Sequence, residues 1–148
     1  MIDWKGSAPE ELRLPLVREA LDSYVNSFYR SLKCLRNGNR IGARLEAADS
    51  IGFALLVIFG LEGRHRPYYS YLERELRTYP LHSFPLSTDD LLTMIDPIVE
   101  RADAASQQRL LAVIDPIVRA AGCGDVLAGW GDKYDWMVGY REATETTD

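Results

Sequence analysis

Ser50 to Leu61 is a run of twelve residues without a charge, and it ends between two glycines, Gly60 and Gly63. It is too short to span a bilayer, which needs about 20 apolar residues. It is also too apolar to lie on a wet surface, so it must fill a core. From Arg40 the residues Ile41, Leu45, Ala48, Gly52, Leu55 and Phe59 lead into it as one stripe at helical spacing. The second half, Phe53 to Phe59, is apolar on every face. A buried strand would suit that half alone, but the stripe begins earlier and no turn residue intervenes. The pattern predicts one helix from about Arg40 to Gly60, the most buried element of the chain. Such a helix needs partners on several sides, which predicts a bundle.

The partners can be read on both flanks. Leu16, Ala20, Tyr24, Phe28, Leu32 and Leu35 recur at helical spacing from about Pro15, and Asn37-Gly38-Asn39 stops them. Ser7-Ala8-Pro9-Glu10 ahead reads as a capping box. The three-residue turn forces helices one and two into an antiparallel hairpin. Pro67 predicts the first turn of a third helix carried to Tyr79, ended by Pro80 and Pro85. Thr88-Asp89-Asp90 caps a fourth, and a fifth runs from about Ser106 to Ala121, closed by Gly122 and Gly124.

The motif Ile95-Asp96-Pro97-Ile98-Val99 recurs as Ile114-Asp115-Pro116-Ile117-Val118. Each proline should kink its helix or start a new one with the aspartate as cap. Trp130 to Val138 reads as a short docking helix. No segment alternates with period two. The fold class is therefore all-α, a single-domain bundle of five to six helices over residues 1–148 with an up-and-down antiparallel start. Residues 1–14 are expected to be a lead-in and residues 142–148 a frayed polar tail.

Charge narrows the function classes. The net charge is −5, yet residues 30–77 hold nine Arg or Lys against five acids. A basic middle suits an anion or simply solvated helix faces, and the acidic total argues against broad nucleic-acid binding. Cys34 and Cys123 stand alone, with neither zinc spacing nor a disulfide framework. The N-terminus lacks the apolar core of a signal peptide. These features predict a cytoplasmic protein with no membrane association.

The richest candidate site follows the apolar run. Arg64, His65 and Arg66 come straight after the glycine turn, and Pro67 then opens Tyr68, Tyr69 and Tyr71. Arginine donors beside a helix N-terminus suit a phosphate or carboxylate; they serve equally to cap carbonyls at the end of helix two. The tyrosine rings either stack on a ligand or pack in the core. Glu46 and Asp49, three apart, share one face of helix two and are its only acids. They could recognise a cation or act as a base, or form a salt bridge to a basic residue on helix one, such as Lys33 or Arg36. No catalytic or metal-ligating residue is predicted. Neither a glycine-rich phosphate loop, a GxSxG elbow nor an HExxH occurs. Arg77 and His82 have the Arg-x4-His spacing of HEPN-type ribonucleases, but Pro80 falls between them and breaks the shared helix that pair needs.

The order of signals from Pro15 to Pro80 resembles the helical C-terminal domain of bacterial nucleotidyltransferases of the kanamycin-nucleotidyltransferase-like group. It rests on Arg36-Asn37-Gly38-Asn39, on Ala47-Ala48-Asp49-Ser50 leading to Leu55–Leu61, and on the Arg64-His65-Arg66-Pro67-Tyr68-Tyr69-Ser70-Tyr71-Leu72 opening of the third helix. The resemblance implies a module that binds the acceptor substrate and closes against a catalytic domain. Magnesium and a nucleotide triphosphate belong to that other domain, held by an Asp-x-Asp or Asp-x-Glu pair. No such pair occurs in this sequence, so no cofactor is expected on this chain. The implied partners are a nucleotidyltransferase catalytic domain or subunit and a small-molecule or nucleotide acceptor, whose carboxylate contact would fall on Glu46 or Asp49. The alternatives are a HEPN-like ribonuclease or toxin-system component, and a non-catalytic dimerisation bundle, the chain then being a homodimer.

Overall fold

The structure is a computed structural model that describes residues 10–142, with side-chain surroundings described from residue 12 on. Every regular element in that range is helical. Two long helices, α1 (Glu10–Arg36) and α2 (Arg40–Leu61), form the expected antiparallel hairpin. The turn is built as its residues demand. Gly38 adopts a left-handed backbone at φ +74°, and Asn39 caps α2, its side-chain oxygen accepting from the Gly42 N–H at 3.0 Å.

α1 does not wait for Pro15. It is already helical at Glu10, so Pro15 sits in its second turn, where it forgoes the one bond its N–H would have made to the carbonyl of residue 11. Residues 10–14 are thus helix and not lead-in. The cap expected at Ser7 and the tail from residue 143 lie outside the described residues.

α1 buries Val17, Leu21, Tyr24, Val25, Phe28 and Leu32. The face that α2 buries differs from the predicted stripe. Ile41 and Leu45 are 73% and 64% exposed, and Ala48 is exposed too. The N-terminal half turns Ala43, Ala47, Ser50, Ile51 and Ala54 inward instead. Small side chains let two helices approach closely, and there α1 is the neighbour to be met. Only in Leu55, Val57, Ile58 and Phe59 does the buried surface wrap most of α2, as the apolar run requires.

The third predicted helix starts late. Pro67 opens no helix; a short 3-10 turn at Tyr69–Tyr71 precedes α3 (Leu72–Thr78). Next comes α4 (Thr88–Arg101), capped by the Ser87 hydroxyl on the Asp90 N–H at 3.0 Å. α5 (Ala104–Ala120) is capped by Asp103, two residues ahead of the predicted start. Ala102 links them in a left-handed conformation at φ +54°. α6 (Gly124–Ala128) and α7 (Asp132–Gly139) close the chain. Among the described residues, six helices of seven residues or more, with the five-residue α6, make one all-α bundle.

One core joins them. Leu76, Phe84, Leu91, Ile98, Leu110, Leu111, Ile114, Val118, Leu127 and Met137 all pack into it beside the hairpin.

Both repeat prolines lie inside continuous helices and neither starts a new one. The two copies also face the core differently. Ile98 is buried in the first, whereas Ile114 and Val118 are buried in the second. Asp96 is exposed; Asp115 is held by Arg119 at 2.7 Å and by the Tyr134 hydroxyl.

Much of the basic middle is used internally. Tyr29 lies between Trp130 and Trp136, with ring centroids at 5.9 and 5.6 Å, and Lys33 and Lys133 sit over its ring. Arg36 lies over Trp136 at 5.4 Å. These contacts fasten α7 to α1. No helix among the described residues is long and apolar enough to cross a membrane.

Candidate functional site

The α1–α2 hairpin leaves one strip of the apolar run uncovered. Phe53, Leu56 and Gly60, at i, i+3 and i+7, share a face of α2, and Leu56 remains 37% exposed. α1 flanks this strip with Leu16, Glu19, Ala20 and Ser23. After Gly63, which turns the chain at φ +71°, residues 64–68 run without helix along the other side. Five extended residues reach about 16 Å, and the eight-residue rise from Gly60 back to Gly52 is about 12 Å, so this strap can return along α2. It does: Arg66 Nη1 donates to the Gly52 carbonyl at 2.8 Å, and Tyr69 lies over Gly52. The result is a cleft of about 340 Å³ with an apolar floor, one helical wall and one basic wall.

Two glycines set its shape. A Cβ on Gly60 would meet Val17 Cγ2 at 2.6 Å, so α1 and α2 can touch at the cleft floor only without one. A Cβ on Gly52 would meet the Tyr69 hydroxyl at 2.8 Å.

The three strap residues have different employments. Arg64 is a strut. It donates to the Tyr79 carbonyl at 2.9 Å and to Glu75 at 3.2 Å, and lies over the buried Phe59 ring at 4.9 Å. It therefore ties the end of α2 to α3, a task the sequence reading did not assign. Arg66 caps no helix end: it spends one N–H on a carbonyl in the middle of α2 and lies over Tyr69 at 5.2 Å. No carboxylate of the described residues pairs with it. His65 is exposed on the rim.

The remaining expected site residues lie elsewhere. Tyr68 and Tyr69 are 82% and 62% exposed, and with Arg66 and Pro67 they line a separate shallow hollow. Neither ring packs into the core. Glu46 faces Arg30 of α1 at 3.9 Å, the expected pairing with a basic residue on helix one, met by Arg30 in place of Lys33 or Arg36. Asp49 is exposed and, one helical turn before Phe53, follows the cleft face without lining it. Arg77 is pinned by Glu73 and Asp89, each at 2.9 Å, with His82 on the loop beyond; the Glu62 carboxylate accepts the backbone N–H groups of His82 and Ser83.

Arg13, Leu16, Glu19, Ser23, Phe53 and Leu56 complete the cleft and were not singled out from sequence. A faint signal existed. Leu16, Glu19 and Ser23 repeat at i, i+3 and i+7 on the same side of α1, mixing polar residues into an apolar stripe. Among the described residues no cluster of three or more His, Cys, Asp or Glu could hold a metal ion. Comparison with known protein families, curated proteins and solved structures finds no match for this chain.

Proposed function

We propose that this chain is a ligand-binding helical module, working as the acceptor-binding part of a nucleotidyltransferase whose metal and nucleotide sites lie on a separate domain or subunit. The observation that carries the reading is the α1–α2 cleft, with the exposed Leu16 and Leu56 on it and arginines along one side. Its volume falls within the range of small-molecule sites, which pair apolar walls with a few placed polar groups. The resemblance over residues 15–80 supplies the enzyme class, and those residues contain α2, the strap and all of α1 from Pro15 on, hence every cleft residue but Arg13.

On this reading the chain contributes binding and orientation, and the carboxylates that place magnesium on a triphosphate come from its partner. A small-molecule screen by thermal shift, mapped by nuclear magnetic resonance, tests the binding part. Hits should perturb Leu16, Phe53 and Leu56, and Leu56→Asp should abolish them while the fold persists. Hits that map instead to Tyr68–Tyr71 would remove the cleft as the site. With magnesium and labelled nucleotide triphosphates, the chain alone should yield no nucleotidyl product. Robust transfer by the purified chain would overturn the division of labour.

A further inference from the structure

Glu19, exposed on α1, and Arg66, half-buried on the strap, both line the cleft; Arg13 also lines it from α1, and Glu19 is the one acid of the lining. Neither Glu19 nor Arg66 forms an ion pair with any described residue, and they do not pair with each other. Between them lies apolar surface from Leu16, Phe53 and Leu56. Opposite charges on two elements beside an apolar floor make the cleft polar at Glu19 and at Arg66, the more so wherever a ligand displaces water. A neutral hydrophobe would leave the half-buried Arg66 further desolvated and unmatched, which costs free energy, and would make no use of the exposed Glu19. A plain anion would engage Arg66 and leave Glu19 unmatched, and a plain cation would do the reverse.

From this we infer that the ligand is a dipolar small molecule: a flat apolar body with a carboxylate or similar anion toward Arg66 and an ammonium-like donor toward Glu19. The inference rests on the cleft being the binding site, and it adds the charge pattern of the occupant. Guanidinium carries five donors in a planar fork, and Arg66 spends one on the Gly52 carbonyl, leaving four for a ligand. That carbonyl contact and the Tyr69 ring also fix the head of Arg66, so little side-chain freedom remains to be lost on binding. Ser23, at i+4 from Glu19, adds a hydroxyl beside the acid end.

The test uses three probes that share one body: 6-(aminomethyl)-2-naphthoate, 6-methyl-2-naphthoate and (6-methylnaphthalen-2-yl)methylamine. Each is titrated into the full chain by nuclear magnetic resonance, following Leu16, Leu56 and the Arg66 side-chain N–H. The dipolar probe should bind at least tenfold tighter than either singly charged one. Glu19→Gln should erase its advantage over the naphthoate, and Arg66→Gln its advantage over the amine. Melting curves of both variants check that they fold; if Arg66→Gln fails to fold, Glu19→Gln and the three-probe ranking still decide. Binding of all three probes in the cleft within threefold of one another would overturn the dipolar inference and leave the cleft reading standing. Binding of none, or binding outside the cleft, would overturn both.

Discussion

Val17 closes on Gly60 so tightly that α2 can carry no side chain there: a Cβ would lie 2.6 Å from Val17 Cγ2. Val17 is 2% exposed and β-branched, so it cannot swing aside. Gly60→Ala should therefore destabilise the protein by roughly 1–2 kcal/mol, the overpacking cost less the helix-propensity gain. Adding Val17→Ala should recover part of that loss, giving a favourable coupling of about 1 kcal/mol in a double-mutant cycle. Strict additivity in chemical denaturation would mean that the two helices separate freely at this point.

Gly52→Ala should behave in the opposite way. The group it meets is the hydroxyl at the end of Tyr69, a side chain 62% exposed and free to move outward. Stability should hold or rise by up to about 1 kcal/mol from helix propensity. Tyr69 should become more reactive to acetylating reagents. A large fall in melting temperature would show that the strap contributes more to the fold than its exposed rings suggest.

Arg64 and Arg66 should separate stability from binding. Arg64 joins Glu75, the Tyr79 carbonyl and the Phe59 ring, so Arg64→Gln should cost roughly 1–2 kcal/mol in denaturant titrations. Arg66→Gln should cost less stability and more ligand affinity. Equal losses in both measurements for both variants would refute the assignment of different tasks.

Tyr24 is buried against Phe28, and its hydroxyl has no hydrogen-bond partner among the described residues. Replacing it by Phe removes an unsatisfied polar group and should stabilise the fold by about 1 kcal/mol at neutral pH. Burial also pushes its phenol well above the ordinary tyrosine range. The unfolded chain ionises from about pH 10 while the folded chain does not, so stability falls as pH rises beyond that point. Tyr24→Phe should soften this alkaline fall, as melting curves from pH 8 to 11 would show. A destabilised Tyr24→Phe variant would mean that the hydroxyl is satisfied.

Asp115 governs the acid side. Partial burial alone would raise its pKa, but hydrogen bonds from Arg119 and Tyr134 outweigh that and hold it below the usual carboxylate range. Its contribution is therefore complete above about pH 4, the unfolded value, and is lost as pH falls through the lower folded value. Asp115→Asn should cost roughly 1–3 kcal/mol at pH 7 and flatten the loss of stability below pH 4. An unchanged acid slope would remove Asp115 from this role. Asp96, in the sister motif, is exposed, and Asp96→Asn should change little at either pH.

Sequence alone determined the helical class, the hairpin and most helix ends. Those are local properties: apolar spacing, the Asn37-Gly38-Asn39 stop and short polar caps act within a few residues of themselves. Strap residues Arg64, His65 and Arg66 were legible too, since clustered basic residues after a core helix have few places to go. Tertiary structure decided the rest. Periodicity says that α2 is apolar, but it cannot say which arc meets α1, so Ile41 and Leu45 emerged exposed while Ala43 and Ala47 went inside. Nor can spacing along one helix show that Arg64 would be drawn to Glu75, or that the strap would return to Gly52. Glu19 and Arg66 are 47 residues apart and share no motif. Only the packing of α1 against α2, permitted by the missing side chain of Gly60, brings them to one cleft.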